Sequence, residues 1–262
     1  MPNIFRRLIA PPPQVLEREY VRLRLEEREI EVLRVRDPRA RRIKLSVDER
    51  GARLTLPPRA SVASGEHFLH EHRHWLTQQL ARYQQMDALT SLQRGQPGEL
   101  PLRGQSLAVQ WHEARYARIE AEAGVAHVHL PARAGEPVLR RALKDFYEAQ
   151  SRADVGRWLP HYLPALPRAP RTVRYKQMSS QWGSLAPDGT MALDLALVLG
   201  RPSAFEYVLV HELCHLIQAN HSPAFWREVE MRFPGWREER AYFHQHGRQL
   251  KAQLRCLLKD AG

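Results

Sequence analysis

The chain has 262 residues and a mass of 30.4 kDa, enough for one large core or two smaller ones. Hydrophobic residues make up 43% and charged residues 26%, a globular balance that excludes wholesale disorder. Lys and Arg number 40 against 29 Asp and Glu, and the formal net charge of +11 favours polyanions at long range. Only Cys214 and Cys256 carry thiols, which excludes a disulfide scaffold or a Cys-rich zinc finger. No apolar run approaches the roughly 18 residues that cross a bilayer, and residues 1–13 lack a long apolar stretch and a small-residue cleavage site. The expectation is a cytoplasmic protein with no membrane association.

In chain order, YVRLRL, IEVLRVR, RIKLSVD and ARLTLPP between 20 and 58 alternate with period two, which predicts four strands. Turns are expected at Asp37-Pro38 and Arg50-Gly51. Residues 18–59 hold thirteen Lys and Arg, so weak nucleic-acid or nucleotide binding is expected of this basic N-terminal region. From Ser64, as cap, to Met86, the residues Phe68, Leu69, Trp75, Leu76, Leu80 and Tyr83 recur at helical spacing. The Gly- and Pro-rich stretch 93–105 suits a boundary loop, dividing a β-rich region with a helix (1–95) from a second domain (96–262).

Short strands are expected near Leu107–Trp111, Ala117–Glu120 and Val125–Leu130, then a helix from Pro137 to Trp158 and a Pro-rich connector from Pro160 to Pro170. Strands at Thr172–Gln177 and Thr190–Leu195 precede a helix over Ser203–Ala219 and helical stretches at 223–232 and 236–258. Strands followed by helices, in two rounds, indicate an α+β fold with N-terminal antiparallel strands rather than a doubly wound sheet. Thr190–Leu195 is a candidate edge strand for pairing with an extended peptide.

The segment His211-Glu212-Leu213-Cys214-His215 contains H-E-x-x-H. On a helix, residues four apart share a face, so His211 and His215 can aim at one ion. Glu212 lies about 100° round the helix, beside the ion, as a base rather than a ligand. Zinc in a catalytic site takes three protein ligands. His221 follows six residues after His215, with Asn220 suited to a left-handed helix stop and Ser222-Pro223 to the next helix start. Glu228, Glu230, Glu238, Glu239, His244 and His246 compete less well as third ligand. A second H-E-x-x-H, His70 to His74, falls on the polar face of an amphipathic helix and has no third ligand nearby; it reads as a solvated face. Cys214 faces away from His211 and His215 and reads as a small buried hydrophobe.

HELCHLIQANHSPAFW resembles the YgjP-like metallopeptidase family, related to the SprT-like proteases. So do Gln181-Trp182-Gly183-Ser184-Leu185 upstream and the entry Tyr207-Val208-Leu209-Val210-His211. The front half, with Arg39 to Ile43 and Trp75, is also similar, and the resemblance spans roughly 20–250. Three positions depart from the family pattern: Gln181 for Arg, Leu185 for Cys and Asp194 for Asn.

The resemblance implies a zincin-like α+β metallopeptidase domain. It also implies Zn2+ held by His211, His215 and His221, with Glu212 activating a zinc-bound water to hydrolyse peptide bonds of a polypeptide substrate. Trp182, Gly183, Ser184 and Tyr207 are candidates for substrate or oxyanion contact. Two alternatives stay open. One is a metal-dependent nucleotide pyrophosphohydrolase; the other is a non-catalytic, zinc-stabilised nucleic-acid-binding module.

Overall fold

The computed structural model describes residues 17–258 apart from 26–27, 49–50 and 91. Arg50, of the expected turn at 50–51, and the side chain of Tyr83 lie outside the described residues. Among the described residues no helix is long and apolar enough to cross a membrane. The fold is α+β, and the chain divides into two units, Met1–Gln85 and Met86–Gly262.

The first unit holds β1 (Glu17–Leu25), β2 (Arg28–Arg36), β3 (Lys44–Asp48) and β4 (Gly51–Leu56) in the order β1-β2-β4-β3. The expected antiparallel pairing holds for β1–β2 and β3–β4, whereas β2 and β4 run parallel, because β3 carries the chain past β4's outer edge. Part of the basic charge is matched across strands: Arg22 registers with Glu31, Arg24 with Glu29, and Arg34 bonds Glu19 at 2.6 Å. The expected single helix is two, α1 (Val62–Glu71) and α2 (Arg73–Thr90), broken at His72. Its cap is Ser61, not Ser64; the Ser61 hydroxyl accepts from the Ser64 amide at 3.0 Å. Leu69 and Leu76 join Leu23, Leu25, Leu54 and Leu56 in this unit's core, while Trp75 stays exposed.

In the second unit, β5 (Glu99–Leu102), β6 (Gln105–Glu113), β7 (Arg118–Glu122) and β8 (Val125–Leu130) form a sheet of order β5-β6-β8-β7. β5 occupies part of the expected boundary loop. Arg103-Gly104 and Ala123-Gly124 have positive φ throughout (52° and 76°, 47° and 81°), the backbone that two-residue hairpins need. The inner face, with Leu100, Leu107, Val128 and Leu130, packs with Leu139, Leu143, Phe146 and Tyr147 of α3 (Glu136–Tyr162). This helix runs through Pro160 into the expected connector.

A second sheet places β11 (Thr190–Asp194) between β10 (Gly183–Leu185), antiparallel, and β9 (Thr172–Lys176), parallel. The expected edge strand 190–195 is therefore central, and β10 is the edge. β10 escaped sequence reading because three residues show no period. Asp194 ends β11 and caps a 3-10 turn, Leu195–Leu199, that leads to α4 (Pro202–Cys214). α5 (Pro223–Arg232) and α6 (Trp236–Leu258) complete the unit. α4 packs against α3, β10, α5 and α6, which explains why most positions on it are apolar and buried.

Candidate metal centre

α4 stops at Cys214, five residues short of the expected Ala219. His215 is its C-cap, still in the right-handed helical region (φ −67°, ψ −15°), so the four-residue spacing from His211 keeps both rings on one face. The last turn then tightens: the amides of His215, Leu216 and Ile217 donate to carbonyls three residues back, at 3.2, 3.0 and 3.0 Å. Asn220 is not left-handed, contrary to expectation; the only non-glycine residues with positive φ among those described are Arg103 and Ala123. The reversal is made instead by the Ser222 amide, which donates to the Asn220 carbonyl at 2.8 Å and closes a tight turn centred on His221. Ser222 then caps α5, its hydroxyl accepting from the Phe225 amide at 3.3 Å, with Pro223 in the first turn.

These devices bring His211, His215 and His221 together, one ligand atom of each within 4.8 Å of the others. His211 Nε2 and His221 Nε2 are 3.0 Å apart. His215 Nδ1 lies 3.1 Å from the Gln218 carbonyl, so the proton belongs on Nδ1 and Nε2 keeps its lone pair. Buried His211 Nδ1 has no hydrogen-bond partner among the described residues. Phe225, fully buried, is the floor beneath all three rings, with centroids 4.9, 4.5 and 4.8 Å away. Burial, then the neighbouring His215, His221 and Arg240, pushes His211 down to about 3; burial foremost also lowers His215. Both rings are thus neutral near pH 7, the form in which imidazole donates to a metal.

Glu212 is 6% exposed, and burial pushes its carboxyl up to about 7. Its close neighbour is the β10 backbone: a Cβ on Gly183 would lie 2.5 Å from Glu212 Oε1 and 2.6 Å from its Cγ. Gly183 therefore acts by having no side chain. Trp182 packs its ring on Phe243 (centroids 4.5 Å apart) and on Gly247 of α6, with Lys251 Nζ 4.4 Å over the ring. Lys251 also donates to the carbonyls of Met178 and Gln181 at 2.8 and 2.7 Å and to Asp194 Oδ2 at 2.6 Å. Asp194 in turn accepts from the amides of Met178 and Ala196. This buried pair holds the loop before β10. Tyr207, buried and pushed up to about 12 by that burial, keeps its proton and stands edge-on to His211. Cys214 is fully buried and pushed up to about 12, the inert hydrophobe expected.

The other third-ligand candidates do not join the cluster. Glu228 pairs with Arg232, Glu230 with Trp236 and Arg237, and Glu239 with Arg201; His246 lies against the Tyr242 ring. His70, Glu71 and His74 are exposed. Among the described residues, the 211–215–221 group is the sole cluster of three such donors.

Residues 41–246 match the YgjP-like, metallopeptidase domain. The chain belongs to the YgjP-like metallopeptidase family. The comparison with curated proteins gives no match. Among solved structures, the crystal structure of the metallopeptidase zymogen of Pyrococcus abyssi abylysin is 28% identical. That similarity covers 39% of this chain and 93% of the other, with a TM-score of 0.28. In this YgjP-like chain a cleft of about 870 Å³ opens over the three histidines, and Trp182, Gly183, Ser184, Leu185, Tyr207 and Glu212 all line it. Arg168, Arg240 and His244 also line it, and among the described residues Glu212 is its one carboxylate. Sequence reading missed Arg168 and Arg240, since an arginine carries no local signal of the cleft it faces.

Proposed function

We propose that this chain is a zinc-dependent metallopeptidase, with His211, His215 and His221 holding the ion and Glu212 as general base. The observation that carries the reading is the convergence of three imidazoles beside a buried carboxyl in an open cleft. Imidazole nitrogens suit zinc, and three of them leave a position open. When bound, the ion supplies Lewis acidity that polarises a carbonyl and acidifies water.

The chain's own groups do the rest. Glu212 takes the proton of the attacking water and passes it to the departing amine. The Tyr207 hydroxyl, held protonated, is a donor for the developing oxyanion, as are the backbone amides of Gly183 and Ser184. Among the described residues β10 is paired on one edge, to β11, and it lines the cleft. An extended polypeptide is proposed to pair along its free edge. Trp182 serves mainly to anchor this strand to α6.

The test compares cleavage of unfolded protein by the zinc-loaded parent and by Glu212→Gln. Loss of about 10³-fold in rate with zinc content unchanged is expected. Release of pyrophosphate from nucleoside triphosphates, with no peptide cleavage, would replace this reading with the pyrophosphohydrolase one.

A further inference from the structure

The exposed face of the β5–β8 sheet brings histidines and a carboxylate close together, although as placed they do not form a cluster of three donors like that of α4–α5. In β8 the alternation buries Ala126, Val128 and Leu130, which turns His127 and His129 outward. In β6 it packs Leu107, Val109 and Trp111 against the core, which turns His112 outward. In β7 it buries Ile119 and turns Arg118 and Glu120 outward. The register then sets His112 beside His129, and Glu120 beside His127.

His112 Nε2 and His127 Nδ1 face each other at 3.0 Å. That is the separation of His211 Nε2 and His221 Nε2 in the α4–α5 cluster, and it lets two nitrogens reach one ion through bonds of about 2.0–2.1 Å. The His129 ring stacks on His112, centroids 4.7 Å apart. Glu120 gives Oε1 to Arg118 at 3.1 Å, while Oε2 points toward His129 Nε2 at 3.4 Å. Arg118 holds the Glu120 carboxyl below its usual range, so it is anionic. None of these residues lines the cleft over Glu212.

We infer that His112 and His127 form a second site for a divalent transition metal such as Zn2+, Cu2+ or Ni2+, completed by Glu120. Two imidazoles chelate through the facing nitrogens, exchanging one N–H···N bond for two metal bonds. The exposed Glu120 side chain swings Oε2 toward His127, its cross-strand neighbour, and contributes an oxygen. With exposed ligands, this site binds more weakly than the three-histidine cluster.

The experiment is zinc binding to the full chain by calorimetry and by metal analysis after equilibrium dialysis. The parent, His112→Ala/His127→Ala, Glu120→Gln and His221→Ala are compared. Two equivalents are expected in the parent. The double variant should keep one and keep peptide cleavage, Glu120→Gln should weaken the second equivalent, and His221→Ala should retain the sheet site. All four positions are at or near the surface, and an unchanged melting temperature checks the fold. A parent that binds one equivalent, lost with His221→Ala, overturns the sheet site. So does a second equivalent that survives the double variant. A single equivalent lost only with His112→Ala/His127→Ala would instead sustain this inference and sink the peptidase reading.

Discussion

Gly183→Ala isolates the role of one missing methyl group. The added Cβ would lie 2.6 Å from Glu212 Cγ and 2.8 Å from its Cδ, where non-bonded carbons prefer roughly 3.5–4.0 Å. β10 is tied to β11 and to the Trp182 anchor, so the Glu212 side chain must move, by about 1 Å. A displacement of that size at a reacting group costs on the order of 10² in rate, or about 2.7 kcal/mol of barrier. The overpacking also lowers stability by about 1–3 kcal/mol. The three atoms nearest the new methyl all belong to Glu212 rather than to a histidine, so zinc stoichiometry should stay at the parental value. Cleavage of unfolded protein is measured beside metal content and melting temperature, in parent, Gly183→Ala, Glu212→Gln and the double variant. With the methyl acting through Glu212, its nearest neighbour, the double variant should be no slower than Glu212→Gln. Parental activity in Gly183→Ala, or additive losses in the double variant, would refute the reasoning.

His221→Ala should abolish or sharply weaken zinc binding at the α4–α5 cluster, whereas His74→Ala should leave it unchanged; metal analysis of the dialysed proteins decides. Asp194→Asn leaves Lys251 largely buried without its counter-charge and sets an amide donor toward two others. It should cost about 3 kcal/mol, a fall in Tm of roughly 6–12 °C, which a thermal melt reads. Arg168 and Arg240 make the cleft basic, so peptides with Asp or Glu near the scissile bond should be cleaved faster than their Lys counterparts. Arg168→Glu/Arg240→Glu should reverse that order in a paired-peptide assay, mainly through KM.

Much of the fold could be read where a period was long enough to register. The strands at 20–58 and 107–130, and the helices at 223–232 and 236–258, sit close to where alternation or helical spacing put them. Readings failed where tertiary contacts overrode local pattern. β10 has three residues and is recognisable only by its pairing with β11. β5 hid in a Gly- and Pro-rich stretch because its hairpin turn, not its strand, dominates the composition. The reversal before His221 was assigned to Asn220 by propensity, but the Ser222 amide makes it. For the candidate site, spacing picked out the three histidines that the fold brings together and Glu212 beside them. It gave no hint of Gly183's closeness to Glu212, of the Phe225 floor or of Arg240, because these are contacts between elements.

The two H-E-x-x-H segments separate motif from site. Both offer histidines four apart, and 70–74 is even richer in imidazole. There the helix breaks at His72, the flanking residues are exposed, and His74 Nε2 lies 2.9 Å from the Gln78 amide nitrogen. His74 thus turns to Gln78 rather than to His70, and no converging contact fixes a ligand geometry among the described residues. On α4 the same spacing is locked from three sides. β10 presses on Glu212, Phe225 supports the rings, and the Gln218 carbonyl sets the His215 tautomer. Preorganisation of this kind would let three weak donors act as one strong site, since the ordering cost is met by folding rather than by binding. Phe225→Ala tests that account: the ligands remain, but the rings lose their floor. Zinc affinity should fall by roughly 10–100-fold, the effect typical of losing a ligand's support. Unchanged affinity would mean that the four-residue spacing alone suffices, and the 70–74 segment would then have to be reconsidered as a site.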